Sequence, residues 1–229
     1  MQKALSILIV TTSHDTIGDT GKPTGVWLEE LTTPYYIFLD AGASVMIASI
    51  KGGAVPIDPS SAKGDLPASA KRFLADPQAK RALATTKAID TIDLSTYDAI
   101  FLPGGHGTMW DLPDSAALSI RLGQAYDSGQ VVAAVCHGPA GFVGAKRADG
   151  SPLVRGRRIS AFTNAEEEAM GLTKAVPFLL ETRLAELGAH VENGPRFKPF
   201  AVRDGKLVTG QNPASSEKMA KLVLSAARD

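Results

Sequence analysis

The sequence predicts an α/β fold built on a mostly parallel sheet, and three observations carry that prediction. Four short apolar runs, at 6–10, 45–49, 99–102 and 131–135, are continuous rather than alternating, as befits strands covered on both faces. Between and after them lie segments with apolar residues at spacings of three and four, the period of a helix with one buried face. Strand and helix signals alternate along the chain, which is the pattern of a sheet wrapped by helices.

Each element has its own justification. Lys3 followed by the apolar stretch from Ala4 to Val10 imitates a secretion signal. The stretch is short, however, and Thr11-Thr12-Ser13-His14-Asp15 makes a poor cleavage site, so a buried first strand is expected. Leu28, Leu31, Tyr35 and Phe38 mark the first helix, with Gly42 placed to cap its end. The stretch 51–93 is too long for a plain connection. It holds Gly52-Gly53, Pro56 and Asp58-Pro59, then a helical pattern over 68–83, and reads as an insertion shaping one rim of the site. Further helices are expected over 118–125, 178–187 and 216–227, with Pro177 at the first position of the second. Asp204-Gly205, flanked by strands at 200–202 and 206–209, is a hairpin signal.

Composition narrows the classes of function. The chain has 229 residues, 24 basic and 24 acidic side chains and 44% apolar residues, enough for a substantial core in one domain, expected over 1–229. Zero net charge excludes a generally basic nucleic-acid binder. No apolar run approaches the roughly 20 residues that span a bilayer, so neither nucleic acid nor membrane is expected as a partner, and a cytoplasmic location is. One cysteine makes neither an intrachain disulfide nor a multi-cysteine zinc site.

That cysteine is the sharpest feature. In Val135-Cys136-His137-Gly138-Pro139 an apolar strand runs directly into Cys136, and Gly138 and Pro139 open a helix, the strand–nucleophile–helix layout of a nucleophile elbow. A helix start beside the sulfur favours thiolate, so a solvent-reachable Cys136 with a lowered pKa is expected; the plain alternative is a buried structural cysteine. Pro103-Gly104-Gly105-His106-Gly107 follows another apolar strand. Its glycines let backbone N–H groups approach a ligand, so Gly104, Gly105 and His106 are candidates for substrate or oxyanion binding, with the His137 amide as a further donor. A tight strand-to-helix turn explains the same glycines. With only four histidines in the chain, no metal site is expected.

Acids complete the candidates. Glu29 and Glu30 open the first helix, where the dipole alone would favour them. They point about 100° apart, and Glu30 lies nearer the apolar side, so Glu30 is the better candidate while Glu29 stays open. Phe162-Thr163-Asn164-Ala165-Glu166-Glu167-Glu168 reads as a capped helix start from which one acid can orient His137. His190-Val191-Glu192 imitates a His-x-Glu pair but starts a strand, so it is set aside.

With these residues named, the chain resembles the ThiJ/PfpI family of the class I glutamine amidotransferase-like superfamily, and within it the glutathione-independent glyoxalase III or holdase chaperone branch. The marks are Thr24-Gly25-Val26-Trp27-Leu28-Glu29-Glu30, Pro103-Gly104-Gly105-His106-Gly107, Ala134-Val135-Cys136-His137-Gly138-Pro139 and Thr209-Gly210-Gln211-Asn212-Pro213-Ala214-Ser215. The resemblance implies a flavodoxin-like three-layer sandwich. It makes Cys136 the nucleophile, His137 its imidazole partner, Glu30 the carboxylate near the sulfur and Glu167 the acid on His137. It further implies a lyase of glyoxalase III type that needs no cofactor and works as a homodimer, with protein deglycase or stress-chaperone activity beside it. A holdase without that activity, or a cysteine peptidase or amidase, is the alternative it leaves.

Overall fold

The computed structural model describes residues 4–229. Its central sheet has seven strands: β1 (Ser6–Thr11), β2 (Ser44–Ser49), β3 (Lys87–Ala88), β4 (Ala99–Leu102), β5 (Val131–Val135), β6 (Ala201–Asp204) and β7 (Leu207–Gly210). They lie in the order β6-β7-β5-β4-β1-β2-β3, all parallel except the β6–β7 hairpin at one edge. Because side chains alternate across a strand, Ile7 and Ile9 enter one core layer while Leu8 and Val10 enter the other. The continuous apolar runs of the sequence are thus explained by two covered faces, and the parallel α/β sandwich expected from them is present.

One face is covered by α1 (Leu28–Asp40), α2 (Ala68–Ala75), α3 (Pro77–Ala84) and α8 (Ser216–Arg228), through Leu31, Phe38, Phe73, Leu83 and Val223. The other is covered by α4 (Thr108–Asp111), α5 (Ala116–Asp127) and α7 (Leu180–Glu186), through Met109, Leu118, Leu122 and Leu184. The short helix α6 (Asn164–Ala169) sits beyond the end of β5. Since β1 has β2 on one side and β4 on the other, the carboxyl ends of β1 and β4 flank a switch point, where open α/β sheets hold ligands. No helix among the described residues is long and apolar enough to cross a membrane.

Three local expectations are corrected. The helical pattern over 68–83 is two helices, because Asp76 caps a new start by accepting from the amides of Gln78 (2.9 Å) and Ala79 (3.1 Å), and Pro77 takes the first position. The helix expected from 178 begins at Leu180, with Leu179 as its cap, so Pro177 lies outside it. The insertion over 51–93 does not line the cavity at the cysteine. It buttresses the start of α1 instead: Val26 N–H donates to Pro56 O (2.8 Å), and Ser61 Oγ accepts the Leu28 amide (3.0 Å), which no side chain at the helix's own cap satisfies.

Candidate active site

β5 delivers the polypeptide straight to Cys136, which holds a left-handed backbone at φ +60. For a residue with a Cβ that conformation costs on the order of 1–2 kcal/mol, and it persists because both backbone groups are pinned. Cys136 N–H donates to Gly210 O and its carbonyl accepts from Phe162 N–H, each at 2.9 Å. The reversal aims Sγ out of the sheet. The expected helix after it is a single 3-10 turn (Gly138–Phe142), so little helix dipole reaches the sulfur.

Glu30 comes from the first turn of α1 and is completely buried. Its Oε2 accepts the Gly104 amide at 2.7 Å. Oε1 is buried with no well-aligned hydrogen-bond partner among the described residues; the neighbouring polar group is the Cys136 thiol. Burial pushes the carboxyl up to about 8, against the opposing pull of the thiol and the Gly104 amide. Glu29 is half-buried and stands off the site, on the outer groove with Tyr36 and Arg72. The Gly104 expectation is corrected: its amide is committed to Glu30, not free for an oxyanion. The lack of a side chain is what allows the approach, since a Cβ there would stand 2.6 Å from Glu30 Oε2 and 2.7 Å from His137 N.

Cys136 departs from expectation as well. It is only 4% exposed, and burial, followed by the negative charge of Glu30, pushes its thiol well above the ordinary value, with only the His137 amide pulling it down. Loss of water outweighs the short turn's dipole.

His137 stands between the sulfur and Glu167. Its Nδ1 lies 3.3 Å from Cys136 Sγ, and Nε2 lies 2.7 Å from Glu167 Oε2. The second oxygen of Glu167 meets His106 Nε2, also at 2.7 Å. Burial alone would raise the Glu167 carboxyl, but the hydrogen bonds from His106 and His137 outweigh it and hold the group far below the usual carboxylate range. An ionised carboxylate only accepts, so both imidazoles donate from Nε2. His137 is driven down to about 4, first by burial and then by His106; it is neutral near pH 7. Its Nδ1 lone pair therefore faces the thiol. His106 thus commits its Nε2 to Glu167 as a second clamp on that carboxylate, while its ring also borders the cavity at Cys136. His106, His137 and Glu167 have ligand atoms within 4.8 Å of one another, a donor set a divalent ion could use, although here each Nε2 proton is shared with a Glu167 oxygen.

The family follows from comparison of the whole chain. The model of the DJ-1/PfpI family matches residues 24–226. The chain belongs to the DJ-1/PfpI family. It is 33% identical to glyoxalase 3 of Candida albicans, over 96% of this chain and 97% of that one. It is 31% identical to a glutathione-independent glyoxalase of Saccharomyces cerevisiae, over 93% and 94%. Among solved structures it is similar to the 24 kDa rapid encystment protein of Francisella tularensis (TM-score 0.94, 37% identity, covering 97% of this chain and 99% of that one). It is also similar to glyoxalase III of Candida albicans (TM-score 0.89, 33% identity, 97% of each chain).

In this DJ-1/PfpI chain the sulfur opens into a cavity of about 140 Å³ with almost wholly apolar walls, lined by Trp27, Phe162, Met170, Phe197 and Pro213 besides Gly105, His106, Cys136 and His137. The Gly105 amide makes no hydrogen bond among the described residues and borders this space. Phe162 lies against His137, ring centroids 4.4 Å apart. Of the three consecutive acids, Glu168 is exposed and Glu166 is turned away into a separate network. His190 is exposed on a two-residue strand paired with Arg158–Ile159, and Glu192 binds Arg158. The sequence reading missed Trp27, Met170 and Phe197. Trp27, beside Glu30, was within reach of a motif argument; Met170 and Phe197 follow segments whose course only the fold sets.

Proposed function

We propose that the protein is a glutathione-independent glyoxalase, a lyase that converts methylglyoxal or glyoxal with water to lactate or glycolate. The observation that carries this reading is the buried cysteine with a neutral imidazole nitrogen 3.3 Å from its sulfur and a carboxyl of pKa about 8 beside it, all at one small apolar cavity. Relatives named glyoxalase 3 and glutathione-independent glyoxalase, matched over nearly the whole chain, support it.

His137 Nδ1 takes the thiol proton as sulfur attacks the aldehyde carbon. The new C–S bond gives a hemithioacetal whose oxygen is met by the Gly105 amide and protonated by Glu30. Glu30, now ionised, removes the former aldehyde hydrogen from carbon, while the imidazolium protonates the neighbouring carbonyl oxygen to leave an enediol. Glu30 returns its proton to that second carbon and His137 takes the hydroxyl proton from the first, giving a thioester. Water, deprotonated by Glu30, attacks the thioester; the C–S bond breaks and the sulfur recovers its proton from His137. Protons and electrons balance without an added oxidant or reductant.

The small volume of the cavity, about 140 Å³, favours a small substrate over the peptide that a cysteine peptidase needs. Among the described residues, two of the four large exposed apolar side chains, Met170 and Phe197, belong to the cavity rim, and the others, Leu74 and Ile120, stand on α2 and α5; a broad client-binding surface for a holdase is not assembled from these four. The working unit we propose is one domain over 1–229, paired as a homodimer in the cytoplasm. The test is lactate formation from methylglyoxal with glutathione absent. Wild type is expected to form it and Cys136→Ala to form none; no lactate from wild type, or equal rates, overturns the reading.

A further inference from the structure

Glu166 is a buried acid that the proposed chemistry leaves unused. Two of its donors come from the Gly-Gln-Asn-Pro segment at 210–213. Its Oε2 accepts from Thr163 N (3.1 Å) and Oγ1 (3.0 Å). Its Oε1 accepts from Asn212 Nδ2 (2.9 Å), Gln211 Nε2 (3.0 Å) and, across the chain, the backbone N–H of Phe197 (2.7 Å). The same two amides grip the loop around Phe197 again: Gln211 Oε1 accepts from Gly194 N (2.8 Å), and Asn212 Nδ2 donates to Lys198 O (3.0 Å).

What this network holds is unusual. Phe197 has φ +56, a left-handed conformation that favours glycine, and the residue is 46% exposed. Neither local preference nor burial explains a phenylalanine there. Backbone strain persists where surroundings over-determine it, and the strain here is spent on placing one ring. That ring lies 6.3 Å from Phe162, which in turn lies against His137, and it closes the outer wall of the cavity above Cys136.

We infer that Phe197, held in a left-handed turn by the Glu166–Gln211–Asn212 network, is a specificity-determining residue that selects aldehydes carrying an apolar substituent on the carbon next to the reacting carbonyl. The inference rests on the reading of the cavity as a dicarbonyl site and names the subclass it takes: alkyl or aryl 2-oxoaldehydes ahead of unsubstituted or hydroxylated ones. Sulfur fixes the aldehyde carbon at Cys136, so the substituent is the part that meets the apolar wall. A methyl group moved from water to such a wall is worth about fourfold in affinity.

The experiment separates this from the glyoxalase reading by using aldehydes that are bound without turnover. Propionaldehyde and glycolaldehyde differ by a methyl in place of a hydroxyl, and each is titrated for protection of Cys136 against iodoacetamide. Wild type is expected to be protected by propionaldehyde at several-fold lower concentration. Phe197→Gly and Phe197→Asn, both suited to the left-handed turn, are expected to lose about fourfold of that preference, and Phe197→Leu to keep most of it. The methylglyoxal-to-glyoxal ratio of kcat/KM should fall in parallel. Unchanged protection ratios in both the glycine and asparagine variants overturn the assignment. A wild type that turns over neither dicarbonyl overturns the glyoxalase reading, and the protection ratios still decide the role of Phe197.

Discussion

Glu30→Gln should make the protein more stable and inactive at once. Glu30 is completely buried, and its carboxyl moves from 4.5 to about 8 on folding, chiefly through burial. Between those values the folded chain keeps a proton that the unfolded chain has released. Stability therefore falls as pH rises, by about 1.4 kcal/mol per unit, and levels off above the folded pKa. At pH 7 the accumulated cost is roughly 3 kcal/mol, and at pH 5 under 1 kcal/mol. Glutamine has nearly the same shape, accepts the Gly104 amide through its oxygen and is neutral throughout, so it escapes this cost. For a chain of this size the gain at pH 7 corresponds to a rise in Tm of about 6–12 °C. Thermal unfolding of both proteins at pH 5, 7 and 8 gives the check, with the gap between them widening with pH while lactate formation is lost. A gap that is constant with pH, or a variant less stable than wild type at pH 7, would refute the claim that Glu30 is held protonated by burial.

Cys136 should alkylate with an inflection above the ordinary thiol value of about 8.5, because burial and Glu30 push the thiol up; iodoacetamide rates against pH that break below it would contradict the environment described. Glu167→Gln should lower kcat by roughly 10²–10⁴-fold, the range for losing the group that fixes a catalytic imidazole's tautomer, while Cys136 remains open to alkylation. Retained kcat would show that His137 is oriented without it.

The parallel sandwich was legible because its strands are buried on both faces, which leaves continuous runs such as 131–135 that need no knowledge of their neighbours. Asp204-Gly205 announced its hairpin for an equally local reason, the left-handed Gly205. The break between α2 and α3 was legible in principle too, since Asp76-Pro77 is a cap followed by a first-position proline. In the site, what could be read was chemistry tied to one short segment: the strand running into Cys136, and Glu30 on the inner side of a helix start. Gly104's commitment to Glu30 joins residues 74 apart, and His106 on Glu167 joins residues 61 apart. No local spacing encodes either. The charge state of the thiol was misread for the same reason, since the sequence displays a helix start but not the burial that overrides it.

The two carboxylates show why this arrangement suits proton transfer. Glu167 and Glu30 are the same side chain, nearly as deeply buried, on opposite sides of the Cys136–His137 pair. Glu167 receives an imidazole N–H on each oxygen and stays ionised; Glu30 receives a single amide, leaves Oε1 without an aligned partner and stays protonated up to about pH 8. Two titratable groups whose surroundings drive them in opposite directions sort themselves into a fixed orienting charge and a mobile proton. Glu167 is the fixed charge, and it can only turn His137 so that Nδ1 faces the sulfur. In the proposed reaction Glu30 is the mobile proton, and with a pKa about one unit from neutrality it can both give and take within one turnover. The pair also accounts for a raised thiol being tolerable. Cys136 does not need to be ionised at rest if the proton it must lose has an acceptor 3.3 Å away, and if the alkoxide formed by its attack has a neutral acid waiting beside it.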